Sequence, residues 1–144
     1  MKSLVQNYKE LLEEQGIGEE DYDIREGENA ESLRLQVAGK YAPISLCAIF
    51  VEEESLFVIF STYDKEVPEE KYAKMALYIA ETNFALKTGG LELNLENGQV
   101  MMRHSQYLFY EEEQDLKDVL LLTMKLNLTT YEEYYEKIME IIEQ

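Results

Sequence analysis

The stretch that decides the fold class is LRLQVAGKYAPISLCAIFVEEESLFVIFS, residues 33–61. It carries three strand signals in succession. Leu33, Leu35 and Val37 alternate with Arg34 and Gln36, the period-two pattern of a strand with one buried face. Gly39 to Pro43 makes a turn. Ile44–Val51 and Leu56–Ser61 are nearly continuous apolar runs rich in β-branched and aromatic residues, which suits central strands covered on both faces. Glu52-Glu53-Glu54-Ser55 joins them and reads as a solvated hairpin loop, since a cation site would need ligands converging at fixed geometry.

Helical patterns lie on either side. Residues 3–15 predict a helix: Ser3 and Gln6 form a capping box, Leu4, Val5, Tyr8, Leu11 and Leu12 make an apolar stripe, and Gly16 supplies the stop. Residues 16–31 form an acidic connector with a short strand signal around Tyr22 to Arg25. Past the strands, Pro68 suits a first helical turn, and Glu69 and Glu70 sit at the positive end of the helix dipole. Ala73, Ala76, Leu77, Ala80 and Phe84 then share one face, widened by Met75 and Ile79. Packing of that face on the sheet is the leading reading. The small side chains of Ala73, Ala76 and Ala80 also make it a candidate dimer face.

A hairpin follows. Asn97-Gly98 favours a two-residue turn with positive φ at both residues. That turn pairs Glu96 with Gln99, Leu95 with Val100, Leu93 with Met102 and Leu91 with His104. The other face pairs Asn94 with Met101 and Glu92 with Arg103. Two helices are expected to close the chain. Asp115 caps the first, Leu116, Val119, Leu120 and Met124 form its inner stripe, and Asn127 stops it. Thr130 and Glu133 open the second with a capping box, followed by Tyr131, Tyr134, Tyr135, Ile138, Ile141 and Ile142. The expectation is therefore an α+β fold. An antiparallel sheet of about five strands, a three-stranded meander plus a hairpin, packs with an N-terminal helix, a central helix and two C-terminal helices. The 144 residues suit a single domain.

Charge narrows the partners. With 30 acidic against 13 basic residues the formal net charge is −17. Nucleic acids and anionic membranes demand clustered cations, so neither is an expected partner. A basic protein partner is allowed, although solubility alone accounts for the charge. No apolar run approaches the roughly 20 residues that span a bilayer. Met1-Lys2-Ser3-Leu4 runs into an amphipathic helix and does not read as a signal peptide. The expected location is cytoplasmic.

The common catalytic templates lack parts. His104 is the only histidine and Cys47 the only cysteine, too few for a zinc site. Cys47 lies in an apolar run followed by glutamates and reads as a small core residue; His104 reads as a packed or rim residue. Gly89-Gly90 precedes a strand, whereas a phosphate loop opens a helix. Carboxylates are so numerous that proximity alone would not mark a catalytic pair. No catalytic, cofactor-binding or metal-binding residue is assigned, and the protein is not expected to be an enzyme.

The stretch Ala80 to Ile142 resembles the YbjN-domain family, once labelled bacterial sensory transduction regulators. Asn83-Phe84-Ala85-Leu86-Lys87 is similar to that family's helix end. Gly89-Gly90-Leu91-Glu92-Leu93-Asn94-Leu95-Glu96-Asn97-Gly98 looks like its glycine, alternating strand and acidic turn. Met102-Arg103-His104-Ser105 and the spacing to Tyr131, Tyr135 and Ile138 also fit, although the proline common in the family's last helix is missing between Glu132 and Glu136. The family is similar in fold to type III secretion chaperones, small acidic proteins that often form homodimers and bind extended segments of other proteins. The resemblance implies a non-enzymatic protein-binding module, chaperone-like or regulatory. Leu33, Leu35 and Val37 are the candidate partner-binding edge strand, and a homodimer is expected. The alternative is a small-molecule sensor with a pocket between sheet and helices. An enzyme using carboxylates alone is a distant third.

Overall fold

The computed structural model describes residues 2–144. Helix α1 (Leu4–Glu14) starts at the Ser3–Gln6 capping box. It ends in a pair of bonds, Gly16 N–H to the Glu13 carbonyl and Ile17 N–H to that of Leu12, which satisfy carbonyls the helix leaves open. Its N-terminus gains one partner from far along the chain. The Glu52 carboxylate accepts the Leu4 N–H at 2.6 Å, so one member of the glutamate triplet caps a helix.

Six strands form one antiparallel sheet: β1 (Tyr22–Glu26), β2 (Glu31–Val37), β3 (Ile44–Val51), β4 (Leu56–Thr62), β5 (Gly90–Leu93) and β6 (Val100–Tyr107). Their spatial order is β1-β2-β3-β4-β6-β5. The sixth strand is the short one signalled around Tyr22 to Arg25. It lies outside β2, pairing Tyr22 with Leu35 and Ile24 with Leu33.

The hairpin register differs from the sequence expectation by two residues. Leu91 pairs with Met102 and Leu93 with Val100. The connection is longer than a two-residue turn because Asn94 starts it. The Asn94 side chain accepts the Glu96 N–H, and its carbonyl accepts that of Gly98. Gly98 is then fixed from outside the hairpin, its carbonyl accepting the Val67 N–H. With φ +80° and the Val67 carbonyl 2.4 Å from where a Cβ would stand, only glycine fits there. Leu95 is consequently exposed instead of pairing with Val100. A shift of two keeps every side chain on its expected face, so Glu92 still reaches Arg103, now diagonally at 3.5 Å.

Helix α2 (Tyr72–Ala85) follows a single 3-10 turn, Glu69–Lys71, that begins at Pro68. The chain closes with one 31-residue helix, α3 (Glu113–Glu143), where two were expected. At 1.5 Å per residue it is roughly 46 Å long. Asn127 does not stop it; the residue is fully buried. Thr130 does not cap a second helix either. Its hydroxyl donates back to the Leu126 carbonyl one turn earlier.

All three helices bury their apolar faces against the same side of the sheet. One cluster joins α1 (Tyr8, Leu12) and the first half of α3 (Leu120) to Leu33, Phe50, Phe57 and Ile59. The other joins α2 (Met75, Ile79) and the second half of α3 (Tyr131, Ile138) to Leu91, Val100 and Met102. Each fully buried aliphatic side chain contributes about 1.5–3 kcal/mol. Among the described residues, no helix lies on the opposite side of the sheet. Alternate residues of β3 and β4, among them Cys47, Ile49 and Phe60, are only half-buried there. The apolar runs therefore mark strands at the centre of the sheet, covered on one face.

Candidate functional site

Apolar side chains remain uncovered in several places, Phe109, Leu122 and Leu126 among them, and two of these surfaces belong to α2 and to the sheet. The first is the outer side of α2. Met75, Ile79 and Thr82 are the residues this helix buries. The face expected to pack on the sheet points outward instead: Ala73, Ala76 and Ala80 are exposed, Leu77 is 62% exposed and Phe84 is 93% exposed. The reason lies in the neighbouring helical phase. Met75, Ile79, Thr82 and Leu86 recur at the same spacing, and longer side chains fill the gap to β5 and α3 better than alanine does.

Asn83 lies between the two faces and joins helix to sheet. Its side-chain amide accepts the Leu91 N–H at 2.8 Å and donates to the Leu91 carbonyl at 3.0 Å. It thereby gives edge strand β5 the two bonds that a further strand would give.

The second surface is the open face of the sheet. Cross-strand pairing places its residues in rows. One row runs Asp23, Arg34, Cys47, Phe60, Arg103, and the next Arg25, Ser32, Ile49, Val58, Ser105. The face forms a shallow concavity of about 1220 Å³ whose walls include Arg34, Gln36, Cys47, Ile49, Phe60 and Met101. Arg103 stacks over the Phe60 ring at 5.4 Å. Cys47 is a half-buried member of this face and not a core residue.

Strand β2 is not a sheet edge. Leu33 and Leu35 are buried on the helix side, Val37 is partly buried, and β1 and β3 pair with the strand on either flank. The edges are β1 and β5. β1 presents Asp23, Arg25 and Glu26, charges of the kind that discourage strand addition.

Between sheet and helices lies a polar pin. The Asn127 side chain accepts from the Ser61 hydroxyl and donates to the Met102 carbonyl at 2.9 Å and to His104 Nδ1 at 3.0 Å. His104 is buried, and burial holds its pKa below the ordinary value of 6.5. The imidazole packs against Gly89, whose φ is +75° and where a Cβ would stand 2.6 Å from the ring. In the second half of α3, Tyr63 stacks on Tyr131 with ring centroids 4.1 Å apart, and Tyr41 on Tyr135 at 4.5 Å. Tyr135 donates to Asp64 at 3.0 Å. Burial first, then this bond and the charge of Asp64, push the Tyr135 pKa up to about 12. Burial likewise raises Tyr63 and Tyr131. These are packing and fastening contacts; none presents a nucleophile beside a base. Among the described residues, no helix is long and apolar enough to cross a membrane.

No family model and no curated protein matches the chain. Among solved structures it is similar to YbjN from E. coli, described as a candidate transcription regulator. The two are 12% identical and superpose with a TM-score of 0.57 over 92% of this chain and 91% of that one. The chain thus has a YbjN-like fold, and the likeness covers more of the chain than the segment whose residues resemble the family. At this identity the likeness concerns the fold alone.

Proposed function

We propose that the protein is a non-enzymatic protein-binding module, chaperone-like or regulatory, formed by one YbjN-like domain and acting as a homodimer. The observation that carries this reading is the uncovered, half-apolar second face of the sheet. An antiparallel sheet commonly leaves one face to solvent, but that face is then polar; an apolar patch left open on it marks an interaction surface. The outer side of α2 supports the dimer. Leu77 and Phe84 project from a helix whose Ala73, Ala76 and Ala80 allow close approach of a second copy. A regulatory role also accords with the description of the E. coli YbjN protein.

The binding function is tested by affinity capture from a bacterial lysate with tagged wild type and an Ile49→Glu variant, at low and moderate salt. Recovery of a defined polypeptide by wild type and its loss with the variant is the expected result. Equal recovery by both rejects the sheet face. Light scattering tests the dimer. Wild type is expected at twice the chain mass of 16.9 kDa and Phe84→Glu at the chain mass. A wild-type mass of 16.9 kDa over a broad concentration range rejects the dimer.

A further inference from the structure

The chain contains ten lysines and three arginines, and the two are distributed differently. No lysine lies in any strand. All three arginines, Arg25, Arg34 and Arg103, lie in strands, and the pairing turns every one of them to the open face. The only carboxylates that strands place on that face are Asp23 and Glu92, on the two outermost strands. Each is bonded to an arginine, Asp23 to Arg25 at 3.3 Å and Glu92 to Arg103 at 3.5 Å. Arg34 has no ion-pair or hydrogen-bond partner among the described residues. In a chain of net charge −17, the strands thus put all three arginines and only two carboxylates on this face, with Glu20 and Asp21 at the rim of the concavity beside β1.

The spacing gives the arrangement a shape. Arg34 on β2 and Arg103 on β6 lie in one row, separated by β3 and β4. Three strand spacings put their backbones roughly 14 Å apart. The floor between them is Cys47, Ile49 and Val51 of β3 and Leu56, Val58 and Phe60 of β4. An apolar trough with guanidinium groups on both banks is about as wide as a helix with its side chains. Arginine offers carboxylates a planar, two-pronged donor that lysine lacks, and it stacks on aromatic rings, as Arg103 does on Phe60.

We propose that this trough seats an amphipathic helix of a partner protein, with its apolar stripe over Ile49, Val58 and Phe60 and its carboxylates paired with Arg34 on one side and Arg103 on the other. The inference rests on the protein-binding reading and names the chemistry of the partner. The partner is acidic, although the protein itself is acidic. Overall repulsion slows the encounter, while the local pairs fix the orientation.

The test uses a fluorescein-labelled helical peptide with one leucine stripe, alanine elsewhere and glutamates on both shoulders. Its control carries glutamine in place of glutamate. Binding is read by anisotropy, and occupancy of the trough by the rate at which a thiol reagent modifies Cys47, the chain's only cysteine. The glutamate peptide is expected to bind more tightly than the glutamine peptide and to slow Cys47 modification. Arg34→Glu and the milder Arg34→Gln, both at an exposed side chain, weaken binding roughly tenfold or more while the fold is unchanged by circular dichroism. Equal or tighter binding of the glutamine peptide, or no binding of the glutamate peptide, overturns the proposal. Binding that leaves the Cys47 rate unchanged also overturns it, since the peptide then sits elsewhere; the protein-binding reading would survive that outcome.

Discussion

Asn127, near the middle of α3, donates its side-chain amide to His104 Nδ1 on β6 at 3.0 Å, while its carbonyl oxygen holds the Ser61 hydroxyl of β4. One buried residue thus ties the longest helix to two adjacent strands. Replacing it by alanine strands the Ser61 hydroxyl and the imidazole in a dry layer, at about 1–3 kcal/mol for each buried polar group left unpaired. Asn127→Ala is expected to lose about 3 kcal/mol or more in urea unfolding. A loss under about 1 kcal/mol would show that the pin is dispensable.

The same contact makes stability depend on pH. Burial keeps His104 neutral and depresses its pKa, so between its folded and ordinary values the unfolded chain binds the proton more readily. The contribution is fully present above 6.5 and is lost as pH falls through the lower, folded value. His104→Gln keeps an acceptor for Asn127 and cannot take up the proton. Urea unfolding at about pH 8 and at about pH 5 should show wild type losing more stability than the variant. Parallel losses would remove His104 from the acid limb.

Much of α3 was legible in the sequence, and its one misreading is instructive. The spacing turns Leu116, Leu120, Met124, Tyr131, Ile138 and Ile142 inward, and all are buried. The Asn127 and Thr130 signals divided the helix in two because both residue types favour helix ends. The stripe itself argues otherwise. Steps of three and four run unbroken from Leu116 through Asn127 and Tyr131 to Ile142, and a turn would have reset that phase. A polar residue exactly in phase with an apolar stripe marks a buried hydrogen-bonding site as readily as a stop.

At the opposite end of the pH scale, Tyr135 gives a second titration. Its hydroxyl donates to Asp64, and its pKa is pushed up to about 12 from an ordinary 10.0. A raised acid pKa favours the folded state below 10.0, and that contribution is lost as pH rises toward 12. Tyr135→Phe is expected to cost about 0.5–1.5 kcal/mol near neutrality. The gap between wild type and variant should then narrow as pH climbs above 10.0, and tyrosinate absorbance of the folded protein should show one fewer late-titrating phenol in the variant. A gap that stays constant with pH would mean that Asp64 does not hold the proton.

The candidate site was less legible than the core. Alternation identified which residues of β2 face inward, but not that β1 pairs outside it. A five-residue strand in an acidic connector carries little apolar signal, so the sequence marks Leu33, Leu35 and Val37 as an edge where the structure adds β1. On α2 two stripes compete, and composition alone does not rank Ala73, Ala76 and Ala80 against Met75, Ile79 and Thr82. Contact with β5 and α3 decides it. The three arginines were visible as single residues; only the register of six strands assembles them on one face.

Asn83 offers the most local test of how helix and sheet are joined. Its amide closes both backbone groups of Leu91, at 2.8 and 3.0 Å, on a strand whose outer side has no neighbour in the sheet. Without it, those groups lose their partners at a part-buried edge. Asn83→Ala is expected to cost about 1–3 kcal/mol. The loss should be uneven. Amide hydrogen exchange at Leu91 and Leu93 should accelerate by more than global stability predicts, because β5 opens on its own, while β3 and β4 amides track the global change. Asn83→Asp restores the acceptor for the Leu91 N–H but not the donor, so an intermediate exchange rate at Leu91 is expected. Uniform acceleration across all six strands would mean that Asn83 stabilises the fold as a whole and does not hold the edge strand in particular.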